Sequence, residues 1–204
     1  MKNAYQHGFT LVEVLVAAFI FAVITALVSG FAVYYFQSYQ FSFEENQQIS
    51  QTQNAFTTII REVRETRPAE NGAYPIAQAD DATLVFYADV TNDGRADRVR
   101  YFLNGTLLQK GVIEPTAAPV EYPSANEKIT TITDSVNLNG KPFFTYYNGS
   151  WPADTINNPL PLSQRLLNTR LITVYIRINI QNNYSAQPFD LSESVAIRSL
   201  KDNL

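Results

Sequence analysis

The hydrophobic residues of this chain are concentrated near its beginning. From Phe9 to Phe36 most residues are apolar, and Glu13 is the one charged side chain in that run. A helix over residues 14–36, rising about 1.5 Å per residue, is long enough to cross a hydrocarbon core of about 30 Å. The pattern therefore predicts a membrane-spanning helix, which follows a short polar leader over residues 1–8.

Beyond this run, the apolar residues recur at the period of an amphipathic helix. They are spaced by three, four and seven residues: Ile49, Phe56, Ile59, Ile60 and Val63. Such a pattern forms one buried face of a helix, and the charged residues 61, 62, 64 and 65 are assigned to the opposite side. Pro68 should end the helix near Arg67. We expect one helix with an apolar half, 9–36, and an amphipathic half, 37–67, although two helices with a break around 38–42 fit the same pattern.

Residues 68–204 have the short alternating segments of a β domain. Strands are predicted at 83–87, 97–103, 106–110, 142–147, 171–180 and 193–200, loops at 68–81, 114–126 and 150–162, and either a strand or a short helix at 128–136. The pair Asn104-Gly105 is a strong hairpin signal. Two strand faces are predicted from alternation, the first of which should lie on the helix: Ile172, Val174, Ile176, Ile178 and Ile180, and then Val195, Ile197 and Ser199. The predicted fold class is α+β, a long N-terminal helix packed on an antiparallel sheet domain.

Composition narrows the range of functions. The formal net charge of −4 argues against a nucleic-acid partner. The chain has no cysteine, and its one histidine, His7, lies in the leader. Thiol catalysis, histidine-assisted nucleophiles and histidine-based zinc sites are therefore absent from the β domain. We expect a protein that is not an enzyme.

The segment from Gly8 to Glu13, Gly-Phe-Thr-Leu-Val-Glu, together with the apolar helix after it, resembles the cleavage and methylation motif of type IV prepilins and pseudopilins. The resemblance implies a pilin-like fold, cleavage after Gly8 by a prepilin peptidase in the membrane, and methylation of the new amine on Phe9. The length of the chain and its closing Ser-Val-Ala-Ile-Arg-Ser-Leu are similar to the W-type minor pilin and the J-type pseudopilin of type II secretion.

Glu13 then takes the position at which this family keeps a glutamate. A carboxylate in lipid or in a filament core needs a partner, and the freed α-amine of Phe9 in a neighbouring subunit is a cation at the same depth. The alternative to a prepilin segment is an ordinary signal-anchor helix that contains one acidic residue without a role in assembly. The expected partners are the peptidase, other pilin or pseudopilin subunits and the membrane.

The expected location is the cytoplasmic membrane, and later a filament. Lys2 is the one basic side chain before Arg61. This charge distribution places the N-terminus in the cytoplasm and the β domain on the exported side.

A second motif, the stretch 89–97, has the spacing of some calcium loops, with acidic residues four apart and a glycine at the turn. Its oxygen donors, the hard ligands that calcium prefers, are Asp89, Thr91, Asp93 and Asp97. Position twelve of the loop, where an EF-hand has an acid, is Arg100. The sequence thus predicts a candidate Ca²⁺ site, and a plain hairpin turn is the alternative.

Two functions follow from these patterns. The first is a structural subunit of a type IV pilus or of a type II secretion-like filament, in which Phe9 and Glu13 serve processing and assembly. The second is a membrane-anchored binding module outside the cytoplasm that uses calcium. A tethered hydrolase would need catalytic carboxylates that the sequence does not single out.

Overall fold

The computed structural model describes residues 9–134, 136–178 and 189–200, and of residues 41–48 and 178 it describes the backbone alone. The chain divides into two compact units, Met1–Gln47 and Gln48–Leu204. The first contains most of the N-terminal helix, and the second contains the end of that helix with all the strands. The α+β fold expected from the sequence is confirmed.

Helix α1 runs from Leu11 to Arg64 as one element of 54 residues. The alternative of two helices separated around 38–42 is therefore not observed. Gly30 is the one glycine in this span, and proline is absent from it, so nothing in the sequence forces a break. Arg61 and Arg64 occupy the last turn, where positive side chains complement the partial negative charge of the helix end.

The first sheet is an antiparallel meander of five strands in the order of the chain. Its strands are β1 Ile76–Ala79, β2 Thr83–Ala88, β3 Asp97–Asn104, β4 Leu107–Ile113 and β5 Lys128–Thr133. Asn104 pairs with Leu107 across the predicted two-residue turn, and Gly105 has φ +63°. A positive φ is readily adopted by glycine, which explains why the Asn-Gly pair marks this hairpin.

The second sheet has three antiparallel strands, β6 Phe144–Tyr147, β7 Leu171–Ile178 and β8 Phe189–Ala196. A short helix, α2 Arg165–Asn168, precedes β7. The two sheets meet through main-chain hydrogen bonds. The amides of Phe143 and Phe144 donate to the Asp81 carbonyl, and the amide of Asn137 donates to the Arg177 carbonyl.

The core of the second unit joins the end of α1 to both sheets. Four buried α1 residues, Phe56, Ile59, Ile60 and Val63, belong to one hydrophobic cluster with Phe86 and Tyr101 of the first sheet and with the predicted face of β7, Ile172, Val174 and Ile176. The predicted packing of that face with the helix is confirmed for these three residues. Ile180 lies outside the described residues, and so does the side chain of Ile178.

Several strand predictions differ from the structure. The predicted loop 68–81 contains β1, a four-residue strand too short to show alternation, whose pairing with β2 is interrupted by a bulge after Ile76. The ambiguous stretch 128–136 contains a strand, β5, because it pairs with β4. The last strand was predicted at 193–200 but spans Phe189–Ala196, because its register with β7 sets its limits. Val195 and Ile197 are buried as predicted, whereas Ser199 lies in a short 3₁₀ helix, Arg198–Leu200.

The prediction that Glu62 lies on the solvent side of α1 is wrong. Glu62 is 6% exposed. Its carboxylate accepts hydrogen bonds from the Tyr101 hydroxyl and the Lys110 ammonium, both at 2.7 Å. Glu62 follows the buried Ile59 by three residues and so lies on the same side of the helix. The sheet supplies the partners that allow an acid to be buried there.

Candidate functional site

The predicted processing and assembly residues lie at the start of α1. Gly8 is outside the described residues. Phe9 is the first described residue, and 88% of it is exposed. Thr10 directly precedes the helix, and Glu13 is in its first turn. The structure thus places Phe9 and Glu13 at the exposed beginning of one helix.

Thr10 and Glu13 form a reciprocal cap at this helix end. The Thr10 amide and hydroxyl both donate to Glu13 Oε2, each at 2.9 Å, and the Glu13 amide donates to the Thr10 hydroxyl oxygen at 3.3 Å. This arrangement is the capping box of a Thr-x-x-Glu sequence. Thr10 is not among the site residues predicted from the sequence, although its three-residue spacing to Glu13 is the signal for a capping box.

The first unit exposes an apolar surface along α1. Among the described residues, the stretch Leu11–Gln40 is long and apolar enough to cross a membrane, with a mean hydropathy of 2.8 in its most apolar part, none of which is buried. Such exposure in water would be unfavourable, because burying apolar surface is the main gain of folding. The surface is therefore suited to lipid or to other helices.

A shallow groove crosses this surface beside Glu13. Its lining includes four residues at successive spacings of four, Phe9, Glu13, Ala17 and Phe21, and also Val14 and Ala18. Residues spaced by four lie on the same side of a helix. The groove therefore has two phenylalanines at its ends, small alanines between them and one carboxylate in an otherwise apolar lining.

The comparison with protein families agrees with this geometry. Residues 3–29 match the model of the prokaryotic N-terminal methylation motif. The segment is therefore of the type IV prepilin kind, a prepilin-peptidase substrate with a methylation site and a transmembrane helix. The match covers the N-terminal segment and leaves the β domain outside. A comparison with curated proteins found no match.

These findings support a type IV prepilin-like segment at the N-terminus of the chain. The long apolar helix followed by an antiparallel β domain is consistent with a pilin-like fold. The motif points to a structural subunit that assembles with other pilin subunits in a membrane.

The acidic loop 89–97 connects β2 to β3 and is closed by its own hydrogen bonds. The Asp89 carboxylate accepts from the amides of Asp93 and Gly94 at 3.2 and 2.9 Å. Asp93 Oδ1 accepts from the Arg95 amide at 2.8 Å. Calcium would have to compete with these bonds. Among the described residues, no three His, Cys, Asp or Glu side chains form a group suited to a metal ion.

Asp97 is the buried member of this loop. Its Oδ2 accepts from the amides of Val90 and Thr91 and from the Thr91 hydroxyl, at 3.0–3.1 Å. Within the described structure, its Oδ1 is buried without a hydrogen-bond partner. Burial raises the pKa of the Asp97 carboxyl above its usual range, against the lowering effect of the Thr91 and Val90 bonds. The structure thus brings Thr91 to Asp97, and calcium binding by the loop stays a prediction.

The loop is also fixed to the chain that follows α1. Arg67 donates to the Gly94 carbonyl at 2.7 Å, and the Glu70 carboxylate accepts from the Ala96 amide at 2.8 Å. On its other side, the Arg95 guanidinium donates to the carbonyls of Pro115 and Thr116. These contacts could not be predicted from the sequence, because they join segments that are distant along the chain.

Proposed function

We propose that this protein is a minor pilin or pseudopilin, a non-enzymatic structural subunit of a type IV pilus or a type II secretion-like filament. One observation supports this function above the others: the methylation motif at residues 3–29 continues into a helix whose apolar surface is exposed from Leu11 to Gln40. A helix of this kind serves both as a membrane anchor before assembly and as a packing surface after it.

In this proposal the chain enters the cytoplasmic membrane with its N-terminus in the cytoplasm and its β domain exported. The prepilin peptidase cuts after Gly8 and methylates the new amine of Phe9. Glu13 then pairs with the Phe9 amine of a neighbouring subunit, because an unpaired carboxylate is costly in an apolar environment. The length and the C-terminal sequence favour the larger subunits, of the W-type or J-type.

The experiment is co-expression of the full chain with a prepilin peptidase, followed by intact mass and N-terminal sequencing of the membrane fraction. The expected product begins at N-methylated Phe9. Gly8→Val should block the cut, because a branched side chain replaces the glycine at the cleavage point.

Gly30→Ala is the matched control, because the added methyl group meets open space on the helix. It should leave processing unchanged. A wild-type chain that still begins at Met1 in the presence of active peptidase would refute the proposal and leave a signal anchor.

Assembly is tested separately with Glu13→Gln. This variant should be cut and methylated like the wild type but should be lost from filaments sheared from the cells. Equal incorporation of both forms would show that the carboxylate has no part in assembly. Ligand binding by the β domain without any filament would favour the membrane-anchored module instead.

A further inference from the structure

Trp151 lies against the second sheet at the end of β6. Its ring packs on that of Tyr147, the last residue of β6, with 4.6 Å between the ring centroids. Both side chains are half-buried and keep part of their surface in solvent. Phe144 and Tyr146 belong to the core, so alternation along the strand turns Tyr147 to the opposite, outer face of the sheet. Trp151 and Tyr147 therefore form an aromatic platform on that face.

The loop that carries Trp151 is fixed by its own polar side chains. Asn158 accepts from the Asn148 amide at 2.9 Å, and its side chain donates to Asn148 Oδ1 at 2.9 Å and to the Asp154 carbonyl at 2.8 Å. The Asp154 carboxylate accepts from the side chains of Asn148 and Asn157 at 3.0–3.2 Å. The aromatic platform is thus held in place without a ligand, which lowers the entropy cost of binding one.

A row of hydroxyl groups lies beside the aromatic platform on the same face. Thr145 pairs with Thr173, and Thr173 pairs with Ser194, across β6, β7 and β8. The Thr173 and Ser194 hydroxyls are 2.7 Å apart, and the Thr145 hydroxyl makes no hydrogen bond to any residue that the structure describes. The row is two residues from Tyr147 along β6, which is about 7 Å. Because a hydroxyl both donates and accepts, this hydroxyl row can bond to the hydroxyl groups of a ligand.

The charged side chains of this face already have partners on it. Among the strand residues that the structure describes, alternation places Arg177 and Asp190 here, and they form an ion pair at 2.6 Å. The Lys141 ammonium lies 4.7 Å from the centre of the Tyr175 ring. A charged ligand would have to compete with these contacts, whereas an uncharged ligand would leave them intact. The face therefore complements a neutral molecule that has hydroxyl groups and an apolar side.

We propose that the outer face of β6, β7 and β8 binds a neutral polysaccharide with β-1,4 linkages. One side of such a sugar ring presents C–H groups, which can lie on the aromatic platform, and the hydroxyl groups stand at the edge of the ring, within reach of the hydroxyl row. A β-1,4-linked chain forms a flat ribbon that matches a sheet face, whereas an α-1,4-linked glucose chain coils. This inference goes beyond the proposed function, because it gives the β domain a ligand of its own.

The test follows the fluorescence of Trp151, the one tryptophan, in the full chain. The chain is kept in micelles of a zwitterionic detergent, because a detergent with a sugar headgroup would compete. The probes are cellohexaose, made of glucose, and chitohexaose, made of N-acetylglucosamine, and the control is maltohexaose, the α-linked glucose chain. We expect a saturable change with a flat oligosaccharide, at a dissociation constant about tenfold below that of maltohexaose. The tighter of the two flat probes identifies the sugar.

Variants separate binding from folding. Thr173→Val has a similar shape without the middle hydroxyl of the row, and it should weaken binding about fivefold, as expected for one hydrogen bond. Thr130→Val makes the same change at an exposed position of β5 and should bind like the wild type. Trp151→Ala should no longer be retained on beads of the preferred polysaccharide. Circular dichroism of each variant verifies that the fold is kept.

Three results would overturn the inference: no saturable response to either flat oligosaccharide, equal affinity for maltohexaose, or a Thr173→Val affinity equal to that of the wild type. All are measured on the precursor, so none depends on the peptidase. Sugar binding by a chain that the peptidase also cuts fits a filament subunit that presents this face. Sugar binding by a chain that stays uncut would refute the proposed function, leave this inference standing and fit the membrane-anchored module.

Discussion

Glu62, Lys110 and Tyr101 form a buried polar cluster that joins α1 to the first sheet, and its disruption should weaken the β domain strongly. The Glu62 side chain is 7% exposed, and that of Lys110 is 19% exposed. The Lys110 ammonium and the Tyr101 hydroxyl each lie 2.7 Å from a different carboxylate oxygen. Lys110→Met removes the cation, fills most of its volume and leaves Glu62 as a buried charge with one donor.

The expected loss of unfolding free energy in Lys110→Met follows from the cost of leaving the Glu62 carboxylate unpaired by a cation. Breaking a buried ion pair from one side costs about 3–5 kcal/mol, and partial access of water at Lys110 favours the lower end, about 3 kcal/mol. A domain of this kind is stable by about 5–15 kcal/mol in total. The double variant Glu62→Gln with Lys110→Met should recover about 2 kcal/mol, because the neutral amide still accepts from Tyr101 and no charge stays buried.

The assay is urea unfolding of the full chain in detergent micelles, followed by the fluorescence of Trp151, the one tryptophan. The unfolding midpoint and slope give the free energy of unfolding. Lys128→Met is the matched control: Lys128 also pairs with an acid, Glu114 at 2.7 Å, but its side chain is 76% exposed. It should leave the midpoint unchanged, because exposed ion pairs contribute little.

Two results would refute this reasoning. One is a Lys110→Met variant as stable as the wild type. The other is a double variant no more stable than Lys110→Met, which would mean that lost packing, and not the unpaired carboxylate, causes the effect.

Three further predictions concern the β domain. Gly111→Ala should lower the free energy of unfolding by about 1 kcal/mol, because its new methyl group would clash with the Glu127 carboxylate, which is hydrogen-bonded to Arg100. The loss should vanish in a Glu127→Ala background. The free energy of unfolding should fall as the pH rises above about 10, because burial raises the pKa of the Tyr101 and Tyr146 hydroxyls well above their usual range in the folded state. Tyr146→Phe should reduce the slope of unfolding free energy against pH, measured by urea unfolding at several pH values. An unchanged slope would contradict this prediction. Calcium binding by the acidic loop should raise the free energy of unfolding by about 2.7 kcal/mol at a calcium concentration a hundred times the dissociation constant, and the urea midpoint should rise with it. Asp89→Asn should abolish the rise, and equal midpoints in calcium and in EDTA would end this prediction.

Features that depend on neighbours along the chain could be predicted without knowledge of the fold. The apolar run after Phe9 establishes an exposed helix without any partner in the domain, because its length and hydropathy are local properties. The Thr-x-x-Glu spacing likewise fixes the cap between Thr10 and Glu13, which needs one helical turn and nothing else. The Asn104-Gly105 turn is local in the same sense, because the loop length sets the pairing of the two strands beside it.

Features that depend on residues distant in sequence required the complete fold. Glu62 is buried because Lys110 and Tyr101 reach it from two strands of the folded sheet. β1 is a strand because β2 pairs with it, and the limits of β8 follow from its register with β7. The physical reason is that the burial of a polar group, or the extension of a short strand, is stabilised by hydrogen bonds to partners that only the completed fold brings near.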